Sequence, residues 1–271
     1  MTTDVAGARC GRGSTLLDLV AVVGIIAVLV AISVPMVLMA RDRSMRSHCQ
    51  DNLRAIGVAM AHYAQSYGSL PCTRPSIGPG MTPDVSNSGF AAVDPFSAIG
   101  PGHNNVPSVL FLLLRTELLQ PASLICPSTD GQPDTFAGLP VRLRSNFTDL
   151  KRNLSYSVQN PYATAEAVRR GFRWSMQHLP PSFVLAADKS PGGEALAKVR
   201  PDSPQDLLRE ANSLNHDRLG QNVLYADGRV EFTTSPFAGV NGDHIYVSRA
   251  GRVLDSPQDG DDTLLLPAEK E

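Results

Sequence analysis

Between Asp18 and Arg41 the chain carries no charged residue, and the uncharged stretch Leu19 to Ala40 is 22 residues long. A helix rises 1.5 Å per residue, so this length suffices to cross a hydrocarbon core of about 30 Å. No other feature restricts the fold so strongly. Pro35 lies inside the run and predicts a bend. Arg9 and Arg12 precede it, and Arg41, Arg43 and Arg46 follow, so basic residues flank both ends and do not set an orientation alone. Asp18 stands at the mouth of the run. A carboxylate at the edge of lipid is costly and marks a functional position, unless it merely reaches out to the headgroups.

Three readings fit this segment. A cleaved secretory signal has a small-x-small site at Ala31-Ile32-Ser33, but the apolar sequence continues through Met39, longer than an ordinary signal core. A plain signal anchor explains the length but neither Gly13 nor Asp18. The third is a short basic leader ending in glycine and followed directly by the helix. "RGSTLLDLVAVVGIIAVLVAISVP" resembles the N-terminal cleavage and methylation segment of type IV pilins and type II secretion pseudopilins. That resemblance implies cleavage after Gly13 by a prepilin peptidase and methylation of the new N-terminus, Ser14. Asp18 then takes the fifth mature position, where the family has glutamate, and Pro35 the twenty-second, where pilins often have proline. The family usually has phenylalanine where this chain has Ser14. In a filament, Asp18 of one subunit would neutralise the terminal amine of a neighbour, which would otherwise be a buried unpaired charge.

The helix is expected to continue past the arginines. Cys49, Leu53, Ile56, Met60, Tyr63 and Tyr67 recur every three or four residues and form one apolar stripe. Gly68 is placed to end the helix, with Pro71 beyond it. The result is one helix of about 50 residues, roughly 80 Å long. "RSHCQDNLRAIGVAMAHYAQSYGSLP" resembles the segment after the pilin helix in a large bacterial set of pseudopilin-like proteins, the domain of unknown function 1559 family. Cys49, Asn52-Leu53, Ile56-Gly57, Tyr63 and Tyr67-Gly68-x-x-Pro71 carry the likeness, and "CPS" at Cys126 adds to it. Their chemistry suits packing and helix termination.

Residues 72–106 read as a long irregular loop, exposed and rich in Pro, Gly and Ser. Pro107 to Pro121 reads as a short core helix with Val109, Leu110, Leu113 and Leu114 on one face. Residues 128–152 read as loop, "NLSYSVQNPY" and "PSFVLAADKSP" as strands, and Ala163 to Trp174 as a short helical turn. In "NHDRLGQNVLYADGRVEF", Val223, Tyr225, Val230 and Phe232 alternate around Asp227-Gly228, which predicts a hairpin closed by a type I′ turn. "VNGDHIYV" with "RAGRVLD" suggests a second hairpin. The first also resembles the same family's closing signature, a His, nine residues, then Asp-Gly. Here ten residues separate His216 from Asp227, and the extra one falls in "DRLGQ". His216 reads as a structural hydrogen-bonding residue, with a site or partner contact as the alternative.

A net charge of -2 argues against an electrostatic nucleic-acid binder. Neither H-E-x-x-H nor G-x-S-x-G occurs, so the sequence offers no catalytic set and reads as a non-enzyme. Asp255, Asp259 and Asp261 are the candidates for calcium, which major pseudopilins hold in a C-terminal loop, but EF-hand spacing is missing and no cofactor is expected. With Cys10 lost in the leader, Cys49, Cys72 and Cys126 remain in an oxidising space. Cys72–Cys126 is the favoured pair because Cys49 fits the buried stripe, although sequence leaves the connectivity open.

The expectation is an α+β, pilin-like protein: leader 1–13, transmembrane half-helix 14–40, amphipathic half-helix 41–70, and a head, 71–271, built on an antiparallel sheet with long loops. It implies a single-pass subunit of the bacterial cytoplasmic membrane with an extracytoplasmic head. Its partners would be the bilayer, the prepilin peptidase and other pilin-like subunits, in a pilus or pseudopilus-type secretion structure. An anchored binding module or enzyme without a filament role is the alternative.

Overall fold

The computed structural model describes residues 16–76 and 82–269, without the side chains of Leu17 and Asp18. Gly13 and Ser14 lie outside the described residues. The chain forms two compact units that meet between Ser44 and Met45. Helix α1, Leu16–Tyr67, runs through Pro35 and belongs to both. In the first unit the apolar side chains from Leu19 to Met39 are exposed. From Leu19 onward the helix is long and apolar enough to cross a membrane by length and composition.

The second unit is an α+β head. Cys49, Leu53, Ile56, Met60 and Tyr63 of α1 are buried in its core. Tyr67, the last member of the predicted stripe, is 60% exposed and stacks on Tyr63 with ring centroids 4.4 Å apart. The helix stops where expected. Gly68 takes φ +77 and its N–H reaches back to the Ala64 carbonyl at 2.9 Å, the left-handed cap that glycine adopts without steric cost. Pro71 follows and its carbonyl accepts from the Trp174 indole.

Five strands, β1 Tyr156–Gln159, β2 Val184–Asp188, β3 Gln221–Tyr225, β4 Val230–Thr233 and β5 Leu265–Leu266, form an antiparallel sheet in the order β4-β3-β2-β1-β5. Strands β1, β2 and β3 are buried along their whole length because both faces of the sheet are covered. Tyr156, Val158, Leu185, Leu224 and Leu266 join the stripe of α1 and helix α2, Pro107–Arg115. Val184, Ala187, Val223, Tyr225 and Leu265 pack instead with Ile245, Tyr246, Val247, Leu196 and Leu208. Helix α2 is buried from Pro107 to Leu114, on every side rather than along one face. Short helices α3, Leu150–Asn153, α4, Ala165–Arg169, and α5, Gln205–Glu210, punctuate the connections. Segment 128–152, expected as plain loop, runs into α3, started by the Asp149 carboxylate on the N–H groups of Lys151 and Arg152.

Two turn expectations are corrected. The β3–β4 hairpin is closed by Gly228 N–H on the Tyr225 carbonyl at 3.0 Å, and of its Asp-Gly pair only Gly228 has positive φ, +84. A type I′ turn needs it at both central residues. This is a three-residue loop with glycine at the left-handed bulge, while Asp227 accepts the Arg229 N–H at 3.0 Å. The second hairpin does not form. Val240–Gly242 is a 3-10 turn, and Ile245, Tyr246 and Val247 are buried consecutively against the back of the sheet without joining a strand. The 72–106 segment is irregular where described, yet it is tied in. Asn105 donates to Asp84 at 2.9 Å, and the Tyr162 hydroxyl donates to the Asn105 carbonyl.

Gly57 lets α1 approach the sheet. A Cβ there would lie 3.0 Å from Cδ1 of the buried Leu224. Gly57→Leu is therefore expected to overpack this contact and cost about 1–3 kcal/mol in thermal unfolding, despite the better helix propensity. Val58→Leu, on the exposed side one residue on, should cost nearly nothing.

Candidate functional site

Alternation along the strands sends Asp188 of β2 and Asn222 of β3 to the face that meets α1, and Phe232 pairs with Asn222 across the β3–β4 register. Cys49 comes down from α1. Cys126 arrives just after a 3-10 turn, Pro121–Leu124, and His216 ends another, Leu214–His216. Asp217 and Arg218, both in the left-handed region at φ 53 and 59, then turn the chain toward β3.

These residues enclose one buried polar cluster. Cys49 and Cys126 form a disulfide, with Cα atoms 5.3 Å apart. Cys72 is free, so the favoured Cys72–Cys126 pairing is overturned. The stripe that buries Cys49 is the reason: it presses that sulfur onto the Cys126 loop, so burial and bonding are compatible. Asn52, one turn along α1, donates to the Ile125 carbonyl at 2.8 Å and to the Tyr156 hydroxyl at 3.0 Å, which fixes the loop against the helix. Burial pushes the Cys72 thiol up to about 11, which leaves it protonated and unreactive.

Beside the disulfide, Asp188 is fully buried. Its Oδ1 accepts from Asn215 Nδ2 at 3.1 Å, and its Oδ2 from the Asn222 backbone at 2.6 Å and Asn222 Nδ2 at 2.9 Å. His216 Nε2 lies 3.3 Å from Asp188 Oδ2, 3.0 Å from Asn222 Nδ2 and 3.9 Å from Cys126 Sγ, while Nδ1 faces Ser128 Oγ at 3.3 Å. Phe232 closes the cluster, edge-on to His216, with the Arg46 guanidinium 3.8 Å from its ring centroid. Ser128 also borders a cavity of about 330 Å³ shared with Lys151, Arg152 and Lys189. Cys49, Cys126 and His216, scattered in the sequence, therefore meet. Asp227 and Gly228 do not join them and serve the hairpin loop. Tyr67, Gly68 and Pro71 serve the helix end. Asp188 and Asn222 were missed, and the only trace of Asp188 is a lone acid closing an apolar strand.

Asp18 lies on the backbone of α1, and Pro35 is exposed there. Asp255 accepts from the Ser248 hydroxyl at 2.9 Å, and Asp259 is paired with Arg249 at 2.7 Å. Asp261 donates its N–H to Asp259 at 3.0 Å, so of the calcium candidates Asp259 has its charge met by a guanidinium. Near them Asp262 is fully buried, and burial raises its carboxyl to about 7, although three hydrogen bonds from the Arg249 and Gln258 N–H groups oppose the shift. Burial also lowers His244 to about 4.

Two outcomes are expected. Peptide mapping without reduction should find Cys49 joined to Cys126 and Cys72 free, and reduction should cost about 2–5 kcal/mol of stability. The pH profile should carry two opposed slopes. Folded Asp262 keeps a proton that the unfolded chain releases near pH 4, so its contribution falls as pH rises from about 4 to about 7. Folded His244 refuses a proton that the unfolded chain takes near pH 6.5, so its contribution is lost as pH falls from about 6.5 to about 4. Relative to wild type, Asp262→Asn should make melting temperature rise more steeply with pH across this window, and His244→Asn should make it fall.

No family model, curated protein or solved structure matches the chain.

Proposed function

We propose that this chain is a membrane-anchored, pilin-like structural subunit. A prepilin peptidase would trim it after Gly13, α1 would hold it in the bacterial cytoplasmic membrane, and its head would stand outside. Assembly would pack such helices side by side and bring Asp18 to the terminal amine of a neighbouring subunit. Pilus and pseudopilus-type secretion structures are built on this principle.

One observation carries the reading. A single helix is uncharged, apolar and exposed over residues 19–40, and over Cys49–Tyr63 supplies the core of a folded head. A plain anchor gains nothing from making the same helix the centre of its soluble domain. The disulfide supports an oxidising compartment for the head, since such bonds rarely persist in the cytosol. The buried cluster supports a structural part for His216, whose ring nitrogens lie against Ser128, Asn222 and Asp188 inside the head.

N-terminal mass spectrometry of the membrane-extracted protein tests the proposal. A methylated Ser14 is expected, whereas an intact Met1 or a start at Val34 would sink it. Asp18→Ala should leave cleavage intact and abolish incorporation into filaments. Normal incorporation would make the carboxylate dispensable.

A further inference from the structure

We infer that Cys49, Cys126, Asp188 and His216 form a zinc site when the disulfide is reduced, so that the same sulfurs hold either each other or a metal. This goes beyond the subunit reading and holds whether or not the chain assembles.

The four groups come from four separate parts of the chain, all are buried, and their ligand atoms lie within 4.8 Å of one another. Two sulfurs, one imidazole nitrogen and one carboxylate oxygen are a donor set that zinc takes in tetrahedral geometry. A disulfide between a helix and a loop has no need of a fully buried carboxylate and imidazole against it. A metal does, because the carboxylate and imidazole then become ligands.

The hydrogen bonding around Nε2 points the same way. If Nε2 is protonated, its N–H meets the Asn222 Nδ2 donor at 3.0 Å. If it is not, its lone pair faces the Asp188 Oδ2 acceptor at 3.3 Å. Turning the Asn222 amide over would place its oxygen against that carboxylate, which Nδ2 now contacts at 2.9 Å. Neither tautomer satisfies all three groups, and Asn222 Oδ1 has no hydrogen-bond partner among the described residues. A cation drawing on the lone pairs of Nε2 and Oδ2 together removes the conflict. The outer shell is already in place. Nδ1–H can donate to Ser128 Oγ at 3.3 Å, leaving Nε2 for the metal, and Asn215 Nδ2 holds Oδ1 at 3.1 Å, leaving Oδ2.

The chemistry balances. Two thiols of an added reductant give the disulfide two electrons and two protons and leave as a disulfide of their own, so Cys49 and Cys126 become thiols. Zinc then displaces both thiol protons and is bound by two thiolates, Nε2 and Oδ2. Zinc–sulfur bonds of about 2.3 Å separate the sulfurs by about 3.8 Å. Rotation about the Cα–Cβ bonds can supply that with the Cα atoms 5.3 Å apart.

The test uses the full chain in detergent with Cys10→Ser and Cys72→Ser, so that only this pair of thiols is present. It is reduced with a phosphine, or left oxidised, and titrated with zinc and with cobalt. About one zinc per reduced chain is expected, with the thiolate charge-transfer and intense d–d bands of tetrahedral cobalt, and none on the oxidised chain. His216→Gln and Asp188→Asn, with folding followed by far-UV circular dichroism, should each weaken zinc binding at least about tenfold. If reduction unfolds the head, zinc should restore its circular dichroism and melting transition. A reduced chain that takes up no zinc, equal uptake by the oxidised chain, or uptake unaffected by both variants would overturn the inference.

Discussion

The head is organised around the contact between the second half of α1 and one face of the sheet. Cys49, Leu53, Ile56, Met60 and Tyr63 supply side chains that no other element replaces, and Gly57 supplies the space that brings helix and Leu224 together. Helix α2 fills the remainder of that core, with Phe111 edge-on to Phe147 at 5.3 Å. The opposite face is covered by irregular chain, chiefly Ile245–Val247. The head therefore has two cores with one sheet between them, and a helix continuous with the apolar segment belongs to the larger.

The polar cluster sets the register of this contact. Apolar stripes slide and rotate at modest cost, but a disulfide, a buried carboxylate and the Asn52 amide must meet particular partners. Asp188 fixes β2 to β3 through the Asn222 N–H, and Asn215 ties the turn before His216 to both Asp188 and the Ser155 carbonyl. A helix displaced by one turn would break the disulfide and strand Asn52. Packing supplies the bulk of the burial, and these few bonds select one arrangement of it.

What the sequence revealed of this fold divides by distance along the chain. The long helix, its end at Gly68, α2 and the β3–β4 hairpin are local patterns, and each is legible from a window of neighbouring residues. The disulfide joins residues 77 apart, and Cys49 satisfied the stripe so well that its bonding role was hidden. Asp188 ends an apolar strand and finds its partners 27 and 34 residues later, which no local period records. The alternation of "VNGDHIYV" suggested a strand because side-chain pattern alone cannot report that both sides of a segment are enclosed. Of the candidate site, three members were visible as isolated residues, and none as a cluster.

Strand β5 carries a consequence of its own. It lies on the outer side of β1, and Leu264 and Gln159, 105 residues apart, share a hydrogen bond beside that pairing. Until β5 emerges, β1 is an uncovered edge and its neighbouring core is open to other chains. Cys49 and Cys126 are synthesised much earlier, so their bond can clamp helix to loop while the sheet is still incomplete. The order of synthesis thus lets a covalent link hold a half-built head whose final strand arrives last, when an exposed edge is most exposed to aggregation.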